Sequence, residues 1–351
     1  MIRVADLDPA SPDAPVAAHY GDPVREQRLL DNEVGLVDRS HRGVLAVPGP
    51  DRLDWLHNLT TQHLTGLAAG TGTELLVLSP HGHVEQHAVL TDDGTTAWLD
   101  VEPGQAVPLL AFLSRMVFLT RVEPADVTAD FALLSLVGPD TDEALVTLGV
   151  GALLPPDVTE VPAAKFATGS VPSRPTTVYD TAPVPDFDGW ARRMPGGADL
   201  LVPRGAVDDL VKAAGVPVAG IWAYEAMRVA ARRPRFGFET DHRTLPAEVG
   251  WTAAAVHLEK GCYRGQETVA RVHHLGRPPR RLVLLHLDGI TTDEPPPVGA
   301  PVQAGDRQVG FVGTAVRHHE LGMVALALVR QNVADDADLR VGPASAAIDP
   351  I

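Results

Sequence analysis

The stretch Lys260–Arg271, KGCYRGQETVAR, constrains this chain more than any other. Gly261 and Gly265 bracket Tyr263 and Cys262, the single cysteine of the chain. Two glycines four apart let a backbone take positive φ and approach a ligand or another segment closely, so the stretch reads as a turn. Gln266 and Glu267, with Arg271 four residues after Glu267, suit a helix start, with Val269 and Val272 facing inward. Cys262 then precedes a helix N-terminus, where free amide donors and Lys260 favour thiolate over thiol. A lone cysteine is also, on composition alone, an ordinary small buried residue. Lys260 weighs toward the reactive reading, because only Lys165, Lys212 and Lys260 are lysines among 29 basic residues.

This string resembles the K-G-C-Y-x-G-Q-E motif of the YgfZ-type folate-binding proteins, a branch of the superfamily that includes the glycine-cleavage T-protein, an aminomethyltransferase. The opening of the chain is similar too. Gly35, Leu36, Asp38 and Ser40 match a G-L-x-D-x-S run, Gly49 and Asp51 a Gly-x-Asp turn, and Thr61 a T-x-D element in which Gln62 and His63 stand where Asn and Asp are usual. The segment Ile221–Arg233 resembles the L-R-x-E-A-G helix of the superfamily, with Arg228 at the arginine and Ala230 where a folate-gripping glutamate is usual.

The resemblance implies an α+β, T-protein-like folate-binding fold: two intertwined α/β subdomains over 18–277 and a C-terminal antiparallel β-barrel over 280–342, arranged around a central channel. The strand lengths and turn spacing after the RPPRR stretch agree with a small barrel. Residues 1–17, without periodicity, read as a mobile leader, and 343–351 as a frayed tail. Tetrahydrofolate or a related reduced folate is the implied cofactor. Tyr224, Arg42, Arg228, Tyr263, Gly265, Gln266 and Glu267 are the implied binding residues, and Cys262 with Lys260 the reactive pair. The implied role is accessory, in making or repairing iron-sulfur proteins. One thiolate cannot hold a cluster by itself, which suits a helper acting on client or assembly proteins.

Helices are expected at Glu26–Val34, Asp51–Leu59 with Asp51 as N-cap, Pro108–Phe118, Val207–Ala214 and Ile221–Arg233, and strands near Val122–Val127 and Phe131–Val137. The prolines of 151–198 suggest edge strands and loops. Glu74–Leu90 reads as a hairpin turning at Pro80–Gly82. Its His83 and His87 have the spacing of a helical metal pair on a strand, so no metal site is expected. Aligned on Gly82 and Val84, the aspartate to which the T-protein's catalytic step is assigned falls at Gln86 and His87. Neither supplies a carboxylate base, so aminomethyl transfer by that mechanism is not expected. A tetrahydrofolate-dependent transferase or demethylase stays open as an alternative, as does a non-catalytic folate-sensing or docking module.

Arg228, Arg232, Arg233 and Arg235 cluster on an acidic chain. They read either as a solvated helix end or as a grip on the carboxylates of a folate tail. Trp222 is expected in the core. A formal charge of −16 argues against nucleic acid or an anionic membrane as partner. No run of about 18 apolar residues occurs and the N-terminus lacks a signal-peptide core, so a cytoplasmic protein is expected.

Overall fold

The computed structural model describes residues 9–158, 175–291 and 294–350. Twelve strands form one sheet: β1 Gly35–Asp38, β2 Gly43–Pro48, β3 Thr71–Leu78, β4 Val84–Asp92, β5 Thr96–Val101, β6 Ala125–Asp126, β7 Phe131–Val137, β8 Asp157–Val158, β9 Thr177–Val184, β10 Gly189–Met194, β11 Gly197–Pro203 and β12 Val218–Ala219. Eight helices accompany them: α1 Pro23–Asn32, α2 Arg52–Leu59, α3 Ala106–Met116, α4 Thr141–Thr147, α5 Val207–Ala214, α6 Ile221–Ala230, α7 Trp251–Ala255 and α8 Gln266–Leu275.

The sheet runs β12-β1-β7-β11-β10-β9-β3-β4-β5-β2-β6, with β8 paired to β9. Its halves meet where β9 pairs with β3, Asp180 with Thr71 and Tyr179 with Gly72. Because β1 lies in one half and β2 in the other, the chain crosses between them early and the halves are intertwined. Alternation sets the layers. Leu75, Val77, Ala88 and Leu90 pack with α2 and α3 on one face of β3 and β4. Glu74 and Leu76 of β3, His87 and Val89 of β4, and Tyr179 of β9 share the opposite face, as the period of two demands.

Six strands close the C-terminal barrel: β13 Arg280–Leu287, β14 Pro301–Ala304, β15 Arg307–His318, β16 Gly322–Arg330, β17 Leu339–Val341 and β18 Ala344–Ile348. It docks through Val229 of α6 on Leu284, Val324 and Leu326, and through Leu328 and Phe311 on a cluster containing Tyr263 and Trp251.

The structure moves several boundaries. Order begins upstream of His19: Asp13, Val16 and Ala17 are buried, and Asp13 holds Arg235 by two hydrogen bonds of 2.9 and 3.0 Å. The tail expected beyond Gly342 is the closing strand β18, paired with both β13 and β17. Strands β9 to β11 are interior rather than edge strands, although residues 159–174 lie outside the described residues. Pro183 is tolerated because the pairing of β3 with β9 has already ended at Asp180. Asp51 precedes α2 but does not cap it with its side chain, which instead receives Arg121 at 2.6 Å. Helix α6 stops at Ala230, where Arg232 takes a φ of +53°. The strand expected at 122–127 shrinks to β6. Trp222 is 43% exposed, its ring 5.3 Å from that of His19.

Candidate functional site

Between the sheet, α6, α7 and the turn Arg232–Arg235 lies a cavity of about 380 Å³. Tyr224, Arg42 and Arg228 all line it, so the structure brings Arg42 to two residues of α6 that are far from it in sequence. None of Lys260, Cys262, Tyr263, Gly265, Gln266 and Glu267 does. The expected site is therefore two places, a cavity and a loop.

Most cavity arginines are spent on the protein itself. Arg39, Arg42, Arg192, Arg228 and Arg235 form one continuous chain of ion pairs with Asp13, Asp100, Glu102, Asp199, Glu225 and Glu239. All eleven residues are buried, and burial on this scale persists only where charges are matched. Burial alone would raise the Glu102 carboxyl, but Arg235, Arg42 and Arg39 hold it well below the usual carboxylate range. Arg42 and Arg228 thus shape the wall and are not free to grip a ligand, and the solvated helix end expected for Arg228 and Arg235 does not form. Arg232 pairs with Asp349 at 2.8 Å. Arg233 differs: it donates to Pro195 O at 3.0 Å and makes no ion pair among the described residues, although the charges of Glu74 and Asp199 act on it through space.

Tyr224 presents its ring to the cavity with the Arg39 guanidinium 4.3 Å from its centroid. Opposite, on the sheet face, the Glu74 carboxylate accepts from the Tyr179 hydroxyl and lies 2.8 Å from His87 Nε2. The His87 ring stacks flat on Trp251, with centroids 4.5 Å apart and planes 4° from parallel. Burial pushes Glu74 up, while the hydrogen bonds and charge of His87 and the Tyr179 hydroxyl bring it down to about 2. Gln86 and His87 carry no carboxylate, but Glu74 on the neighbouring strand sets one against His87, so that a carboxylate–imidazole pair faces the cavity. Sequence reasoning missed Glu74, Tyr179 and Trp251. The available signal was a lone charge in ELLVL at the same parity as Leu76 and Leu78.

The motif loop is built differently from its expectation. Gly265 takes φ +82° as the residue before α8, whereas Gly261 keeps an ordinary φ. A Cβ on Gly265 would lie 2.6 Å from Ser79 O and 2.8 Å from Gly82 Cα, so this glycine exists because the loop presses on the β3–β4 turn. Lys260 is buried and turns to the end of α2, where its ammonium donates to the carbonyls of His57, Thr60 (2.6 Å) and Gln62 (3.0 Å). Burial pulls its pKa down to about 7, yet three acceptors match the three N–H donors of the charged form. The lysine expected to activate Cys262 is thus a cap on a helix C-terminus. Tyr263, expected to touch a ligand, is buried in the core between sheet and barrel. Gln266 ties the loop together by donating to Lys260 O at 3.3 Å, and Glu267 is exposed. Cys262 itself is exposed, which excludes the small buried apolar residue.

Residues 18–171 match the GCVT N-terminal domain, and residues 280–350 the CAF17 C-terminal beta-barrel domain. A chloroplastic protein of Arabidopsis thaliana, named provisionally as a transferase, is 28% identical over 296 residues, 80% of this chain and 61% of that protein. The chain thus spans less than two thirds of that relative. An aminomethyltransferase of Symbiobacterium thermophilum is 28% identical over 302 residues, 84% of this chain and 78% of the relative. The crystal structure of the glycine cleavage system aminomethyltransferase T from Bartonella henselae superposes with a TM-score of 0.74 at 17% identity, over 96% of this chain and 91% of that one. At that identity the likeness is one of fold.

Proposed function

From a chain that joins a GCVT N-terminal domain to a CAF17-type barrel within the GcvT-like superfamily, we propose that the central cavity holds a reduced folate, tetrahydrofolate or a close relative, and that the protein is an accessory factor in assembling or repairing iron-sulfur proteins. The observation that carries the folate assignment is Arg233, a cavity guanidinium that makes no ion pair among the described residues, in a chamber whose other walls include Tyr224, Tyr179 and Trp251. Flat aromatic faces suit a pterin or benzoyl ring, and a guanidinium fork suits the carboxylates of a glutamate tail. A bound reduced folate would supply a one-carbon acceptor or reducing equivalents. Cys262 is displayed on the surface, and Tyr263 beside it belongs to the same apolar cluster as cavity-lining Trp251. That placement suits a thiol meeting a client protein rather than the cavity ligand.

Calorimetric titration with tetrahydrofolate under anaerobic conditions tests the first half. Saturation near one ligand per chain is expected, with Arg233→Ala weakening affinity roughly 10- to 100-fold, the range for a charge-assisted hydrogen-bonded pair. Absence of saturable binding to the native protein would overturn the assignment. For the second half, Cys262→Ser is expected not to restore iron-sulfur enzyme activity in a strain lacking the protein; full restoration removes the thiol from the proposal.

A second reading, tetrahydrofolate-dependent one-carbon transfer, is favoured by the Glu74–His87 dyad, since a carboxylate-oriented imidazole is a competent base. One-carbon turnover from a methylamine substrate, lost in Glu74→Gln while folate binding persists, would decide for it.

A further inference from the structure

Helix α1 and the turn between β15 and β16 face one another across the junction of sheet module and barrel. Gln27, buried on α1, clamps that turn: its amide donates to Arg317 O at 2.9 Å and its carbonyl accepts from His319 N at 2.8 Å. Asp31 stands one helical turn further along the same face of α1. The turn is itself fixed, because His318 Nδ1 accepts from Glu320 N and Leu321 N at 3.1 and 3.2 Å and the two histidine rings lie 4.7 Å apart.

This frame brings one oxygen each from Asp31 and Glu320 and one ring nitrogen of His319 within 4.8 Å of one another. The His319 side chain is only 4% exposed, and its Nε2 makes no hydrogen bond although it points to Asp31 Oδ2 3.4 Å away. A buried imidazole nitrogen with no hydrogen bond, held beside two carboxylate oxygens, has a lone pair to offer a shared cation. We infer that Asp31, His319 and Glu320 bind a divalent first-row transition cation, of the zinc or manganese type, that clips the barrel to α1. One imidazole and two carboxylates, with no sulfur, fit that class. Calcium and magnesium prefer all-oxygen sets, and soft ions prefer thiolate. Three donors fill only part of the coordination of such an ion, and water would complete it. The clip does not depend on the folate reading, because none of its residues lines the central cavity.

Zinc titration by calorimetry, in a Cys262→Ser background that removes the one thiol, tests the site directly. Saturation near one zinc per chain is expected, with affinity falling on the order of tenfold or more in His319→Ala and in the near-isosteric Asp31→Asn. Zinc should raise the melting temperature of the background protein, reversibly with a chelator, but not that of either variant, and excess magnesium should not compete. Cobalt should give visible bands that His319→Ala alters. Asp31 is half-exposed, so Asp31→Asn keeps the test alive if His319→Ala does not fold. Zinc affinity unchanged in both variants, or no saturable zinc in the background protein, overturns the site and leaves an ion pair between Asp31 and His319 only.

Discussion

Arg192→Ala is expected to destabilise the protein by about 3–5 kcal/mol, the range for removing one partner from a buried ion-pair network. That is a large part of the roughly 5–15 kcal/mol that typically separates folded from unfolded protein. Arg192 is fully buried and its guanidinium joins Asp100 at 2.7 Å to Asp199 at 2.9 Å, with Thr91 Oγ1 at 3.1 Å. Removing it takes a partner from each of two carboxylates in different halves of the sheet, leaving Asp100 to Arg42 alone and Asp199 to Arg39 and Ser135. Urea denaturation reads the effect as a lower midpoint; Asp199→Asn added to Arg192→Ala should recover part of the loss, and a midpoint within experimental error of the parent would refute the assigned role.

The same network fixes the acid limit of stability. Glu102, Asp199 and Glu225 are pushed up by burial and pulled down further by neighbouring arginines, so their folded pKa values lie below the unfolded ones. A carboxylate depressed in this way contributes stability above its unfolded pKa, about 4, and loses that contribution as pH falls through the folded value. Unfolding free energy is therefore expected to drop steeply below about pH 4.

Gly265→Ala should cost roughly 2–4 kcal/mol, combining left-handed backbone strain with a clash against a neighbouring backbone. The residue has φ +82°, and the added Cβ would meet Ser79 O at 2.6 Å. The hairpin turn cannot yield easily, because a Cβ at Gly82 would in turn meet Thr268 Cβ at 2.7 Å. Besides a lower melting temperature, the variant should show altered reaction of Cys262 with a thiol reagent, since the loop that displays it must shift. A variant with unchanged stability and thiol kinetics would mean that the loop and the turn do not bear on each other.

Local pattern was legible where the deciding contacts are local. Strand β7 and helix α5 carry the expected bounds, and the hairpin of β3 and β4 turns where Pro80 and Gly82 place it. The α+β fold with its closed barrel followed from the resemblance and agrees with the superposition. What failed was pairing at a distance. Asp13 looks like leader because its partner Arg235 is 222 residues away. Arg228 and Arg235 look solvated because, Glu225 of α6 apart, the acids that neutralise them, Asp13, Glu102 and Glu239, lie outside that helix. Lys260 sits two residues from Cys262 in sequence, but its ammonium is held by the end of α2, and adjacency misassigned it. Ala344–Ile348, ASAAI, has too little apolar bulk to announce a strand, yet it alternates buried and exposed and completes the barrel.

Strand β18 pairs with β13, the first strand of the barrel, as well as with β17. During synthesis some sixty residues must therefore emerge after β13 before its open edge finds this partner. Until then the nascent barrel presents unpaired backbone groups on a strand with the apolar run Leu282–Leu285, the kind of edge that recruits other chains. The ribosome-bound or truncated protein is thus the aggregation-prone form, and chaperone dependence should concentrate in the interval before β18 is available.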